Sequence, residues 1–354
     1  MNSLKDGYRL LGKRKKKFNN FVNGSWRGHI NHVVSALLVL GFAVTAYQRL
    51  NGYLVKPTFG ATFSSDYASH LGLDPHQVYL AILDELQAKV IRLPVNWNEI
   101  EVVAGERQFA ELDWYMNEAM KREVKVILAV GNKVPRWPEC QTPVWAIGLL
   151  PEEFDQALLA HVRAVVERYS AHPALSRWQI ENEQLFPFGN CPIPNNARFA
   201  KELNLVRELD PHHPIQLTVS GEQQAWVSQA WQADIIGSSL YRFAWNPTIG
   251  FSVFPIPPVW YSLQAKSVTL FTKKSVISEL QAEPWFPRDV MKYDPAEAQA
   301  FFTPQLLRLH AAYAVRTGIK EISFWGVEWW YYLKEHGYPE LWNEGVRIMT
   351  AKKE

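Results

Sequence analysis

The sequence predicts an α/β fold: a single (β/α)8 TIM barrel preceded by an N-terminal transmembrane helix. Three observations lead there. Eight short apolar runs alternate with helical segments from residue 57 to the C-terminus of the 354-residue chain. The runs are apolar almost throughout, as parallel strands covered on both faces are. Residues 28–48 contain no Asp, Glu, Lys or Arg, a stretch of 21 positions, and a bilayer-spanning helix needs roughly 20 mostly apolar residues.

The N-terminus divides into two parts. Residues 1–32 form a basic tail with the run Lys13-Arg14-Lys15-Lys16-Lys17, and residues 33–55 form the anchor. Cationic flanks stay in the cytoplasm, which places the tail inside and the remainder, residues 56–354, outside. A cleaved signal peptide ending near Val44-Thr45-Ala46 is the competing reading, which would make the protein secreted.

From there each element follows its own signals. Strands are predicted over 59–63, 89–94, 124–130, 175–180, 214–219, 233–240, 275–279 and 321–325. Asp74 before Pro75 starts a helix that runs to Gln87, with Val78, Ile82, Leu83 and Leu86 on one face. Further helices are predicted over 109–123, 151–170, 195–208, 223–232, 257–272, 296–317 and 339–351. Segments 187–195 and 242–257 read as loops on the active side. A doubly wound open sheet is the other candidate, but no GxGxxG follows the first strand and no P-loop is present.

Composition narrows the function. The charge is near balance, with Lys+Arg 37 against Asp+Glu 35, and no basic face outside the N-terminus points to nucleic acid. The 15 Trp residues are mostly core fillers, yet several stand at strand ends, where flat rings stack on sugars. Cys140 and Cys191 form no CxxC pair, so no zinc site is expected; an exported domain would allow a disulfide between them. There is no HExxH, and no metal or cofactor is expected.

A barrel enzyme works at the C-terminal ends of its strands. Those ends hold Arg92 with Asn96 and Trp97, Gly131-Asn132-Lys133, Glu181-Asn182-Glu183, Tyr241, Glu279 and Trp325. Two carboxylates, an amide, a guanidinium, a phenol and an indole are what acid–base sugar chemistry requires.

With these residues in view, the chain resembles the retaining glycoside hydrolases of clan A, and the family 5 cellulases and mannanases in particular. Asn182-Glu183 is similar to the Asn-Glu pair ending strand four, and Glu279 stands at the nucleophile position ending strand seven. Val90-Ile91-Arg92-Leu93-Pro94 is similar to the strand-two segment whose arginine supports the nucleophile. Tyr241 and Trp325 match the strand-six tyrosine and the strand-eight tryptophan. There are departures: Asn132-Lys133 replaces the usual histidines after strand three, Ser239 stands where a histidine often precedes the tyrosine, and Leu280 follows Glu279.

The resemblance implies a double displacement with Glu279 as nucleophile and Glu183 as acid/base. Arg92 and Tyr241 would keep Glu279 ionised, Asn182 would bind the sugar 2-hydroxyl, and Trp325 would lie under the cleaved sugar. Trp97 and Trp137 are expected to line sugar subsites, with Trp245, Trp285, Trp329 and Trp330 as further candidates. Glu181 and Glu283 are the substitutes should a strand end be misplaced. The expected partner is a carbohydrate, of β-linked glucan or mannan type. The alternative is a barrel that binds glycan at the cell surface without cleaving it.

Overall fold

The computed structural model of the chain describes residues 30, 32–52 and 54–351. The basic run at residues 13–17 lies outside them. His32–Gly52 is one apolar α-helix of 21 residues, which at 1.5 Å per residue spans about 30 Å. Leu37, Leu38, Val39, Leu40 and Phe42 are all exposed along it.

From Asn51 onward the chain forms one compact unit. Its centre is a closed parallel barrel of β1 (Thr58–Thr62), β2 (Val90–Pro94), β3 (Lys125–Val130), β4 (Leu175–Ile180), β5 (Ile215–Val219), β6 (Ile235–Leu240), β7 (Lys274–Gln281) and β8 (Glu321–Trp325). Each strand pairs with the next in sequence, and β1 closes on β8 in the register Thr58↔Glu321. Closure leaves no unpaired sheet edge, so the open-sheet alternative is excluded.

Alternation along each strand separates two environments. On β4, Trp178 and Ile180 are buried in the apolar layer beneath the helices, whereas Arg177 and Gln179 belong to a chain of hydrogen bonds through the barrel. Arg92 donates to Thr62, Gln179 and Glu279; Gln216 donates to Gln179; Arg177 donates to Gln216 and Glu321. The barrel interior is thus filled partly by a paired polar column. Every member needs its partner, because an unpaired buried polar group costs about 1–3 kcal/mol.

Several helices differ from the sequence reading. The segment predicted over 296–317 breaks into Pro295–Ala298, a 3-10 turn at Gln299–Phe301, and Pro304–Arg316. Pro304 has no N–H with which to continue a helix, and Thr303 caps the new one. The helix over 223–232 shortens to Val227–Ala230. Segment 242–257 is not a plain loop, since it holds an antiparallel hairpin of Phe243–Asn246 with Gly250–Val253. The helix Val327–Glu335, unforeseen, starts right after β8 and buries Trp329 and Trp330. These two rings are core and do not line the cleft.

Candidate active site

Two backbone devices aim side chains into the C-terminal mouth of the barrel. The first is on β7. Ser238 and Ser239 of β6 face Ile277 and Glu279, so Ser278 is an extra residue in the ladder. The β7–β8 pairing shifts over the same residues, from Ile322↔Ile277 to Phe324↔Leu280. Such a bulge turns the following side chain, and here that side chain is Glu279.

The second device is at the end of β4, where Glu181 (φ 56°) and Glu183 (φ 43°) both take left-handed backbone. Each such non-glycine residue costs on the order of 1–3 kcal/mol. The turn is held from several sides. Glu181 accepts the backbone N–H groups of Asn132 and Lys133 at 2.9 and 2.6 Å. The Lys133 ammonium donates to the carbonyls of Glu183 and Phe186 at 3.2 and 2.7 Å. The Glu183 N–H donates to Thr218 Oγ1 at 2.8 Å.

The result is a cavity of about 890 Å³ lined by both Glu183 and Glu279, with Asn182, Tyr241, Trp137 and Trp325 around them. Glu279 accepts from Arg92 Nη2 at 2.7 Å and from the Tyr241 hydroxyl at 3.2 Å. Burial holds the carboxyl of Glu183 well above the usual range, and the nearby charges of Glu279 and Glu139 push it the same way. One carboxyl is therefore ion-paired and its neighbour favours the protonated form. That division fits one nucleophile and one proton donor.

Of the other residues picked from the sequence, Trp137 is 63% exposed at the rim, close to Phe188, which in turn contacts Trp285. Trp325 lines the cavity but is only 8% exposed, with the Arg136 guanidinium 4.4 Å from its ring centre. Trp97 must be corrected. It begins the short helix Trp97–Ile100, is fully buried against Trp145, Phe154 and His161, and donates its ring N–H to Glu101. That one-turn helix carries the ring into the helical layer and away from the cleft. Glu181 is also outside the main cavity. It lines a smaller void of about 210 Å³ with Glu202. Glu283 does line the main cavity, where it is ion-paired with Arg136.

Three participants carry no sequence signal that separates them from other charged residues. Arg136 stands between Glu283 and Glu328 and lies over the Tyr67 ring at 3.7 Å. Glu222 accepts the Tyr241 N–H at 2.6 Å and the Tyr261 hydroxyl, and burial pushes its carboxyl up to about 7. Glu139 accepts from Asn182 Nδ2 at 3.0 Å, and burial pushes it up to about 8. The only hint lay in Cys140, since the disulfide Cys140–Cys191 fastens the loop after β3 to the loop after β4.

The sequence matches no protein-family model and no curated protein. Solved structures do match in fold. The β-galactosidase from Bacillus circulans sp. alkalophilus aligns over 83% of this chain and 55% of its own length, with a TM-score of 0.53 at 12% identity. The β-galactosidase from Rahnella sp. R3 aligns over 77% and 50%, with a TM-score of 0.53 at 14% identity. This chain thus spans about half the length of these two proteins. GH5_18 from Streptomyces cattleya, in complex with GlcNAc, aligns over 77% and 70%, with a TM-score of 0.55 at 12% identity. At such identities the likeness is one of fold alone.

Proposed function

We infer that this chain is a retaining glycoside hydrolase acting on β-linked sugars of glucan or mannan type. One observation carries the reading: carboxyl groups from the ends of β4 and β7 line a single cavity, one paired with Arg92 and the other favouring its protonated form. In the first step Glu279 attacks the anomeric carbon while Glu183 gives its proton to the departing oxygen. In the second step Glu183 takes a proton from water, the resulting hydroxide attacks the same carbon, and Glu279 leaves. Arg92 and Tyr241 orient the nucleophile. Trp137, Phe188 and Trp285 offer flat apolar faces to further sugar rings.

The helix His32–Gly52 supports a membrane anchor, with residues 1–32 as a cytoplasmic tail and the barrel outside. The disulfide Cys140–Cys191 favours the same side, because such bonds persist in oxidising compartments.

The test is a panel of β-linked oligosaccharides with reducing-end detection, followed by NMR of the first product formed. Retained configuration at the anomeric carbon with turnover lost in Glu279→Gln supports the reading. An inverted first product excludes the double displacement. Binding with no hydrolysis across the panel favours the glycan-binding alternative.

A further inference from the structure

Glu139 is built into the cleft with care, and the double displacement gives it no task. It is buried at 5% exposure and lines the main cavity. Its backbone is left-handed at φ 74°, a conformation that a glutamate adopts only where the surroundings enforce it. Those surroundings are specific. Its N–H donates to the Arg136 carbonyl at 2.7 Å, and its own carbonyl accepts from Val134 at 2.9 Å. The next residue, Cys140, is bonded to Cys191. Gly189, itself left-handed at φ 87°, lies so close that a Cβ there would meet the Glu139 Cβ at 2.6 Å. The two loops can meet around Glu139 only because residue 189 is glycine.

The carboxyl group is half committed. Oε2 accepts from Asn182 Nδ2, while Oε1 takes no hydrogen bond among the described residues. The Asn182 amide is also partly used. Its Oδ1 accepts from Gln179 Nε2 at 3.1 Å and from Thr218 Oγ1 at 3.3 Å, which occupies both lone pairs. Asn182 therefore has one N–H left to offer. The spare N–H and the spare carboxyl oxygen belong to side chains already joined to each other. Glu139 also lies within electrostatic reach of both Glu183 and Glu279.

We propose that Glu139 is a substrate-contacting specificity residue. With the spare N–H of Asn182, its free Oε1 grips one substituent of the sugar ring held between Glu183 and Glu279. It selects a substituent that can hydrogen-bond to this carboxyl group, a hydroxyl or an amine, over a hydrogen that cannot. This inference rests on the glycosidase reading above. The expected size follows from the bond type: losing one hydrogen bond to a buried carboxyl group lowers kcat/KM by about tenfold.

The experiment uses the full-length protein and the 4-nitrophenyl β-D-glycoside that it cleaves fastest, with the 2-, 3-, 4- and 6-deoxy analogues of that glycoside. Glu139→Leu keeps most of the side-chain volume and removes both carboxyl oxygens. On the parent glycoside it is expected to lose about tenfold or more in kcat/KM. On one deoxy analogue the penalty should shrink to about twofold or less, because the group that Glu139 recognises is already missing. Wild type alone should lose about tenfold or more on that same analogue, a readout that needs no variant to fold. Glu139→Asp, which withdraws the carboxyl group by one methylene, should single out the same position. An equal Glu139→Leu penalty on every analogue, or none on the parent, overturns the inference and leaves the glycosidase reading intact. A wild type inert towards every glycoside removes both.

Discussion

At the N-terminal mouth of the barrel, Glu321 accepts from Arg177 and from Lys274, Asp234 pairs with Lys273, and Asp210 pairs with His213. All three carboxyls are held below their usual range: although burial works against it, the donors around each carboxylate win. At the C-terminal mouth, Glu139, Glu183 and Glu222 are all pushed up, by burial first and then by one another or by Glu279. The same strands carry both ends, so secondary structure does not explain the contrast. The number of cations does. The lower mouth matches each acid with a base, while the upper mouth collects more carboxyls than Arg92, Lys133 and Arg136 can neutralise. Unmatched charge at one end of a fold marks a place shaped for chemistry rather than for stability.

Removing one acid from each end tests this contrast most directly. Glu279→Gln should lower turnover by about 10⁴-fold or more, and Glu183→Gln by about 10²–10⁴-fold. Glu279→Gln also strands the buried Arg92 guanidinium and should lower the midpoint of thermal unfolding, whereas Glu183→Gln only removes a buried acid from a crowded cluster and should not. Glu321→Gln should do the reverse. It strands the buried Arg177 guanidinium and should cost about 3 kcal/mol in a urea titration, with kcat/KM unchanged. Loss of stability in Glu183→Gln and none in Glu321→Gln would contradict the division.

A pH titration sharpens it. His161 is fully buried with no hydrogen-bond partner for either ring nitrogen among the described residues, and burial pushes it down to about 3. The unfolded chain binds this proton below about pH 6.5 and the folded chain does not, so stability falls as pH falls. His161→Phe should recover about 2 kcal/mol at pH 5 relative to its effect at pH 8. Glu139 has the opposite sign. Its folded form keeps a proton that the unfolded chain has released, so its contribution is present below about pH 4.5 and is lost as pH rises to about 8. Glu139→Gln should flatten the stability profile between those values, and a profile that stays parallel to wild type would contradict the assignment. The smallest effect is expected from Trp137→Ala at the exposed rim, about 1 kcal/mol or less in stability, with weaker binding of longer oligosaccharides and unchanged cleavage of an aryl monoglycoside.

The strand ends are legible in the sequence because a buried parallel strand is a short apolar run, and its first polar residues mark the mouth. Arg92, Asn182, Glu183, Tyr241 and Glu279 are all read that way. Trp97 fails by the same logic: a polar and aromatic pair after β2 looks like cleft lining until Asn96 leads into a one-turn helix. Apart from the neighbouring Cys140, nothing in the sequence marks Glu139. Its place depends on left-handed backbone, a disulfide and the missing side chain of Gly189, none of which has a periodicity to read. Trp329 and Trp330 mislead because composition cannot tell a ring that packs beneath a helix from one that faces a sugar.

Closure of the barrel has a consequence for how the chain is made. Thr58 pairs with Glu321, 263 residues later in the sequence. At a synthesis rate of about 5–20 residues per second, β1 waits roughly 13–50 s for its second neighbour. During that interval the nascent sheet carries two bare edges, and only the last strand to emerge removes both.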